Sequence, residues 1–90
     1  MHALLIGINS KYVHTALGLR YVGEYAKTQG FNVHLIEETI NTPILTVLEK
    51  IMDCEADVYA FSVHIWNKPF VYRLIAMLKK LRPEATIVVG

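Results

Sequence analysis

The sequence predicts an α/β domain carried on a parallel sheet, and three observations predict it. Residues 3 to 8, Ala-Leu-Leu-Ile-Gly-Ile, are continuously apolar with no alternation, the pattern of a strand covered on both faces. Further strand-like runs lie at 32–37, 58–63 and 86–89, each separated from the previous one by apolar residues at helical spacing. Strands alternating with helices in this way form βαβ units, and right-handed crossovers then make the sheet parallel.

The first run, residues 3–8, is β1. A polar stretch from Asn9 to His14 follows, and then α1, where Leu17, Tyr21, Val22, Tyr25 and Ala26 recur at helical spacing. Thr15 is its expected cap and Gly30 its expected stop. In β2 (32–37) the pattern alternates and then turns acidic, which fits a strand nearer the sheet edge. Thr42 before Pro43 marks the start of α2, Thr as cap and Pro at the first helical position. Ile44, Val47, Leu48, Ile51 and Met52 give α2 one apolar stripe, each large side chain contributing roughly 1.5–3 kcal/mol when fully buried. After β3 (58–63), Asn67 is the expected cap of α3. Val71, Leu74, Ile75, Leu78 and Leu81 form its inner face before Arg82-Pro83 ends it, and β4 takes 86–89.

The expected strand order is 2-1-3-4, a Rossmann-like, flavodoxin-like sheet with α1 on one face and both α2 and α3 on the other. Coverage this lopsided, with a fourth strand ending next to Gly90, sets the expectation of a single partial domain over 1–90, truncated after the fourth strand. A longer protein would add another helix and a fifth strand. With one sheet face uncovered, the isolated piece is expected to self-associate.

At 53% hydrophobic and 19% charged, the 90 residues describe one compact folded domain rather than a disordered chain. Nine Lys and Arg against eight Asp and Glu leave a net charge of +1, so no broad field attracts a nucleic-acid backbone or an anionic membrane. Neither nucleic acid nor membrane is an expected partner; the opening apolar run is too short for a span or a signal segment. Cys54 is the single cysteine, so this chain alone assembles no disulfide framework and no Cys-based metal or iron–sulfur site, and a cytoplasmic location is expected.

In open α/β sheets ligands sit beyond the carboxyl ends of the strands, where the strand order reverses, here between β1 and β3. The segments reaching that place are Asn9 to Thr15, Ser62 to Asn67, and Gly90. They lack the G-x-G-x-x-G and G-x-x-x-x-G-K-[ST] patterns that cradle phosphates, which removes dinucleotides and nucleoside triphosphates as expected ligands. A phosphorylated receiver domain would carry acidic residues after β1 and an Asp at the end of β3, where this chain has Asn9 and Ser62. His14 and His64 each admit two readings: a packed loop His donating to a backbone carbonyl, or a neutral imidazole offered to a transition metal. Tyr12 and Trp66 suit the apolar walls of a crevice, and Ser62 suits a hydrogen bond to a ligand or to the strand end. No acidic residue completes a nucleophile–base–orienter set around Ser62 and His64, so the fragment itself is not read as catalytic.

At these same loops the sequence resembles the N-terminal cobalamin-binding domain of the cobalamin-binding radical SAM protein family. Three segments carry the resemblance: Asn9-Ser10-Lys11-Tyr12-Val13-His14-Thr15 with Leu17, Leu19, Arg20 and Tyr21; Ala60 to Asn67 with its Ile65-Trp66-Asn67; and Leu78 to Pro83 leading to Val88-Val89-Gly90. The resemblance implies a corrin ring lying over the strand ends and a nucleotide tail descending between sheet and helix. It implies a cofactor site of Asn9, Lys11, Tyr12, His14, Thr15, Ser62, His64, Trp66, Asn67 and Gly90, with His14 as the cobalt axial ligand. Well-known cobalamin domains carry Asp-x-His-x-x-Gly after β1, a Ser after β3 and a Gly-Gly pair after β4. Ser62 and Gly90 match, whereas Tyr12 stands in place of the Asp and Gly18 lies one residue farther from His14 than the motif asks. His14 therefore lacks the carboxylate that would fix its tautomer.

The family also implies a larger protein, a radical SAM enzyme of methyltransferase-like kind, in which a C-terminal radical SAM domain of the same chain holds a 4Fe-4S cluster and S-adenosylmethionine. This piece would contribute binding and orientation. The other expectation is a Rossmann-like interaction or substrate-recognition module that has lost the corrin site.

Overall fold

The computed structural model describes residues 2–9 and 17–90. Among them the elements run β1 (His2–Asn9), α1 (Leu17–Thr28), β2 (Asn32–Thr39), α2 (Ile44–Met52), β3 (Val58–Ser62), α3 (Lys68–Leu81) and β4 (Thr86–Val89). The strands form one parallel sheet in the order β2-β1-β3-β4. This is the Rossmann-like, flavodoxin-like order that the helix–strand alternation predicts. β1 and β2 each extend beyond their sequence-predicted ends, and β3 stops one residue sooner, at Ser62.

β1 explains the arrangement. It is paired on both edges, with β2 and with β3, and it is buried from Ala3 to Ile8, which is why its sequence shows no alternation. Leu4, Ile6 and Ile8 point to one face. There they join Tyr59 and Phe61 of β3, Val47 and Ile51 of α2, and Val71, Leu74 and Leu78 of α3 in a single buried cluster. The opposite face receives α1, which packs on β1 and β2. Gly23 makes that approach close: a Cβ there would lie 2.8 Å from Leu5 Cδ1 and 3.5 Å from Val33 Cγ1. Farther along the same face Ala60 is half-buried and Val88 is exposed, so the lopsided coverage expected from the sequence is present.

α1 ends as expected at Gly30, whose φ of 90° is natural only for glycine. The Gly30 amide donates to the Lys27 carbonyl at 3.1 Å and the Phe31 amide to that of Ala26 at 3.2 Å, the paired bonds of a Schellman stop. Thr15, its expected cap, lies outside the described residues.

Four sequence expectations are corrected. Thr42 does not cap α2: the capping position is Pro43, whose carbonyl accepts from the Thr46 and Val47 amides. The Thr42 hydroxyl donates to Glu38 Oε1 at 3.3 Å, which orients it toward β2, and Lys50 holds the other carboxylate oxygen at 2.6 Å. Asn67 stands at the capping position of α3 but makes no side-chain cap bond. Val22 and Tyr25 face solvent, because the sheet is met by Gly23 and Ala26, whose small size allows closer packing. Leu81 is 56% exposed. It lies in the last turn of α3, beyond Leu78, the last of the helix's residues in the buried cluster.

Arg82 ties the end of α3 to the body. Its Nη2 donates to the Met52 carbonyl at 2.8 Å and its Nη1 to the Cys54 carbonyl at 3.3 Å and to the Tyr59 hydroxyl. The cation thus satisfies carbonyls at and beyond the end of α2, where a positive charge is favoured. The buried Tyr59 hydroxyl also accepts from the Ala56 amide at 3.3 Å.

Two substitutions test the α3 face. Leu78→Ala lowers the unfolding free energy by about 2–5 kcal/mol, and Leu81→Ala changes it by less than about 0.5 kcal/mol, read from urea denaturation midpoints. Equal losses at the two positions would refute the observed helix rotation.

Candidate functional site at the strand exits

The register brings the exits of β1, β3 and β4 to one edge of the sheet. Gly7 pairs with Ser62, Phe61 with Val89, and β1 ends two residues after Gly7 at the half-buried Asn9. Gly90 extends the ladder beside Ser62: its amide donates to the Phe61 carbonyl at 3.1 Å and its carbonyl accepts from the Val63 amide at 2.8 Å. Among the described residues, a Cβ at Gly90 would meet no heavy atom within 4 Å.

Beyond Ser62 the chain makes a tight turn. The Asn67 amide donates to the His64 carbonyl at 3.1 Å, while the Asn67 Oδ1 accepts from the His64 amide at 2.7 Å. Closed from both ends, the turn presents its middle outward: Ile65 is 95% exposed and Trp66 45%. The His64 ring stacks on Trp66, with centroids 5.3 Å apart and planes within 5°, and its Nε2 lies 3.2 Å from the Ser62 hydroxyl. Stack and hydrogen bond together fix an exposed imidazole in one orientation.

Of the residues expected at the site, Asn9, Ser62, His64, Trp66, Asn67 and Gly90 are gathered at this edge. Lys11, Tyr12, His14 and Thr15 lie outside the described residues. Asn67 is completely buried, its polar atoms turned to protein partners, so it shapes the crevice from beneath. Sequence reasoning placed Ile65 in the loop without giving it a role; its only signal was an apolar residue in a turn that should favour polar ones. The other two histidines are remote from the edge: His2 begins β1, and His34 lies exposed on β2.

The α1 face of the sheet has small side chains leading down from the edge. Gly7 pairs with Ser62, and Ala60 lies one row below it beside Leu5. A hollow of about 320 Å³ lies between α1 and the sheet on this same face, floored by Leu5, Val33 and Leu35 beside Gly23.

This arrangement is that of a ligand-binding parallel α/β domain, open at the carboxyl edge of its sheet. Residues 3–90 match the family described as B12 binding domain, and the chain belongs to that family. It is a cobalamin-binding domain, as the resemblance of its loops implies. No curated protein matches the chain. The described residues fit the group: a hydroxyl and an imidazole stand at the edge, a half-exposed aromatic ring can meet an apolar face, and among these residues nothing fills the space over Gly90. No helix among the described residues is long and apolar enough to cross a membrane.

His64 and Trp66 are exposed, so the fold does not depend on them. His64→Ala and Trp66→Ala each shift the unfolding free energy by less than about 0.5 kcal/mol in urea denaturation, and any effect of these variants on a ligand reads the site alone. A loss of several kcal/mol would mean that the turn is part of the core.

Proposed function

We propose that this chain holds cobalamin over the carboxyl ends of its strands as the cofactor-binding part of a larger radical SAM enzyme. The observation that carries the reading is the pairing of Ser62 with Gly90 at the exits of β3 and β4, a hydroxyl beside a glycine whose missing Cβ no described atom replaces. Ser62 hydrogen-bonds the nucleotide tail, and Gly7 and Ala60 leave that tail room on the α1 face. Trp66 walls the corrin side of the crevice, and His64, held by Ser62, lines it. The resemblance to the cobalamin-binding family assigns Asn9, Lys11, Tyr12 and Thr15 to the same site, and would give His14 the role of imidazole ligand to cobalt. Bound cobalamin supplies the cobalt-centred chemistry, and the protein supplies orientation and exclusion of water.

The radical half of the reaction belongs to a C-terminal radical SAM domain of the same chain, with its own 4Fe-4S cluster and S-adenosylmethionine, acting in the cytoplasm as a methyltransferase-like enzyme. The Asn9-to-Thr15 and Ile65-Trp66-Asn67 segments support this wider reading by their resemblance to that family. The exposed Val88 and half-buried Ala60 support self-association of the isolated piece through the open sheet face.

Hydroxocobalamin added to the chain tests the reading. Cofactor retained on gel filtration with a shifted visible spectrum is expected. Ser62→Leu weakens binding at least about tenfold, roughly 1.4 kcal/mol. His14→Ala changes the spectrum of the bound cofactor. No retention by the wild-type chain would instead favour an interaction module of the same fold.

A further inference from the structure

We infer that Asn67 is a positioning residue whose buried carboxamide clamps the exits of β1 and β3 to the turn between β3 and α3, so that the crevice is formed before any ligand arrives. The inference rests on the cobalamin reading for its ligand and on geometry alone for the clamp.

The carboxamide joins three segments. Asn67 Nδ2 donates to the Ile8 carbonyl at 2.9 Å and to the Ser62 carbonyl at 3.2 Å, while Oδ1 accepts from the His64 amide at 2.7 Å. Ile8 lies 59 residues away in sequence. Its carbonyl needs this partner for a definite reason. Asn9 directs its own carbonyl to β2, where the Ile40 amide donates at 2.9 Å, so alternation turns the Ile8 carbonyl toward β3. By that level β3 has left the ladder: the His64 amide, which the continuing register would aim at Ile8, donates to Asn67 Oδ1 instead. A side-chain N–H replaces the missing strand, and the two strands part around it.

Few side chains can do this. The site presents two carbonyls and one amide N–H, and a carboxamide offers two donors and an acceptor on one short planar group. Asp has the acceptor and no donor when ionised, Ser has a single donor, and Gln is one methylene longer in a fully packed position. The same residue closes the turn that carries Ile65 and Trp66, and it fixes the backbone on either side of Ser62 and His64. Asn67 acts on the ligand through those groups.

The experiment compares Asn67→Asp with Leu78→Ala at the far end of the same helix, under conditions where both full-length chains are folded. Asn67→Asp keeps shape and acceptor but sets a carboxylate against two carbonyls. Hydroxocobalamin affinity is expected to fall at least about tenfold in Asn67→Asp and to stay within about twofold in Leu78→Ala. Hydrogen exchange is expected to quicken in Asn67→Asp at residues 62–67 and at the end of β1, with α2 and the rest of the sheet unchanged. If Asn67→Asp does not fold, Asn67→Ser, which retains one donor, takes its place with the same expectation. Wild-type affinity in the Asn67 variant, or an equal loss in Leu78→Ala, overturns the clamp. If wild-type chain binds no hydroxocobalamin, the proposed function fails, and exchange alone judges the clamp: unchanged exchange at residues 62–67 overturns it.

Discussion

The structure depends on the position of β1, hydrogen-bonded along both edges and buried on both faces. A strand so placed has no polar outlet except its ends, so the chain's polar chemistry is pushed to the strand exits. The strand order reverses at β1, and crossovers of one hand must then leave in opposite directions, α1 to one face and α2 and α3 to the other. The exits of β1 and β3 lie side by side at that point, the place where open α/β sheets bind ligands. The functional edge thus follows from the hydrophobic run Ala3–Ile8 and the handedness of the chain.

α3 is braced at both ends by side chains directed to backbone carbonyls. Arg82, at its carboxyl end, binds the carbonyls of Met52 and Cys54 and the hydroxyl of Tyr59. Asn67, at its amino end, binds those of Ile8 and Ser62. The buried Ile8 carbonyl would cost about 1–3 kcal/mol if left unpaired, so the Asn67 brace is worth more than an ordinary surface hydrogen bond. The helix is therefore registered against the sheet by polar contacts at its tips and by Val71, Leu74 and Leu78 between them. That registration makes the turn before α3 a fixed part of the crevice.

The fold was legible because its signals are local or follow from rules of handedness. Six apolar residues without alternation identify a central strand, Gly30 identifies a helix stop, and the 2-1-3-4 order follows from parallel βαβ units. The cobalamin ligand was legible only through the family resemblance of three segments, and the family match over residues 3–90 agrees. What escaped depends on partners distant in sequence. Asn67 before Lys68-Pro69 has the local signature of a helix cap, and only Ile8 across the sheet gives it another role. Thr42 before Pro43 reads as a cap until Glu38 and Lys50 are brought beside it. Leu81 continues a helical stripe past the last buried position of α3, and Tyr25 yields to Gly23 because the closeness of two backbones is not written in hydropathy.

The turn from His64 to Asn67 exposes Ile65 almost entirely and Trp66 nearly by half, an arrangement unfavourable to the free protein. Burying one such side chain is worth roughly 1.5–3 kcal/mol, and ordering a mobile one at an interface costs about 0.5–1.5 kcal/mol. In this turn much of the ordering is already done. The backbone is closed twice between His64 and Asn67, and the Trp66 ring lies against an imidazole that Ser62 holds. A ligand covering these side chains therefore gains most of the burial energy and meets little of the ordering cost. The physical advantage of a rigid, apolar projection beside a polar crevice is affinity through preorganisation, and it is available to a broad, largely apolar ligand rather than to a small hydrated one.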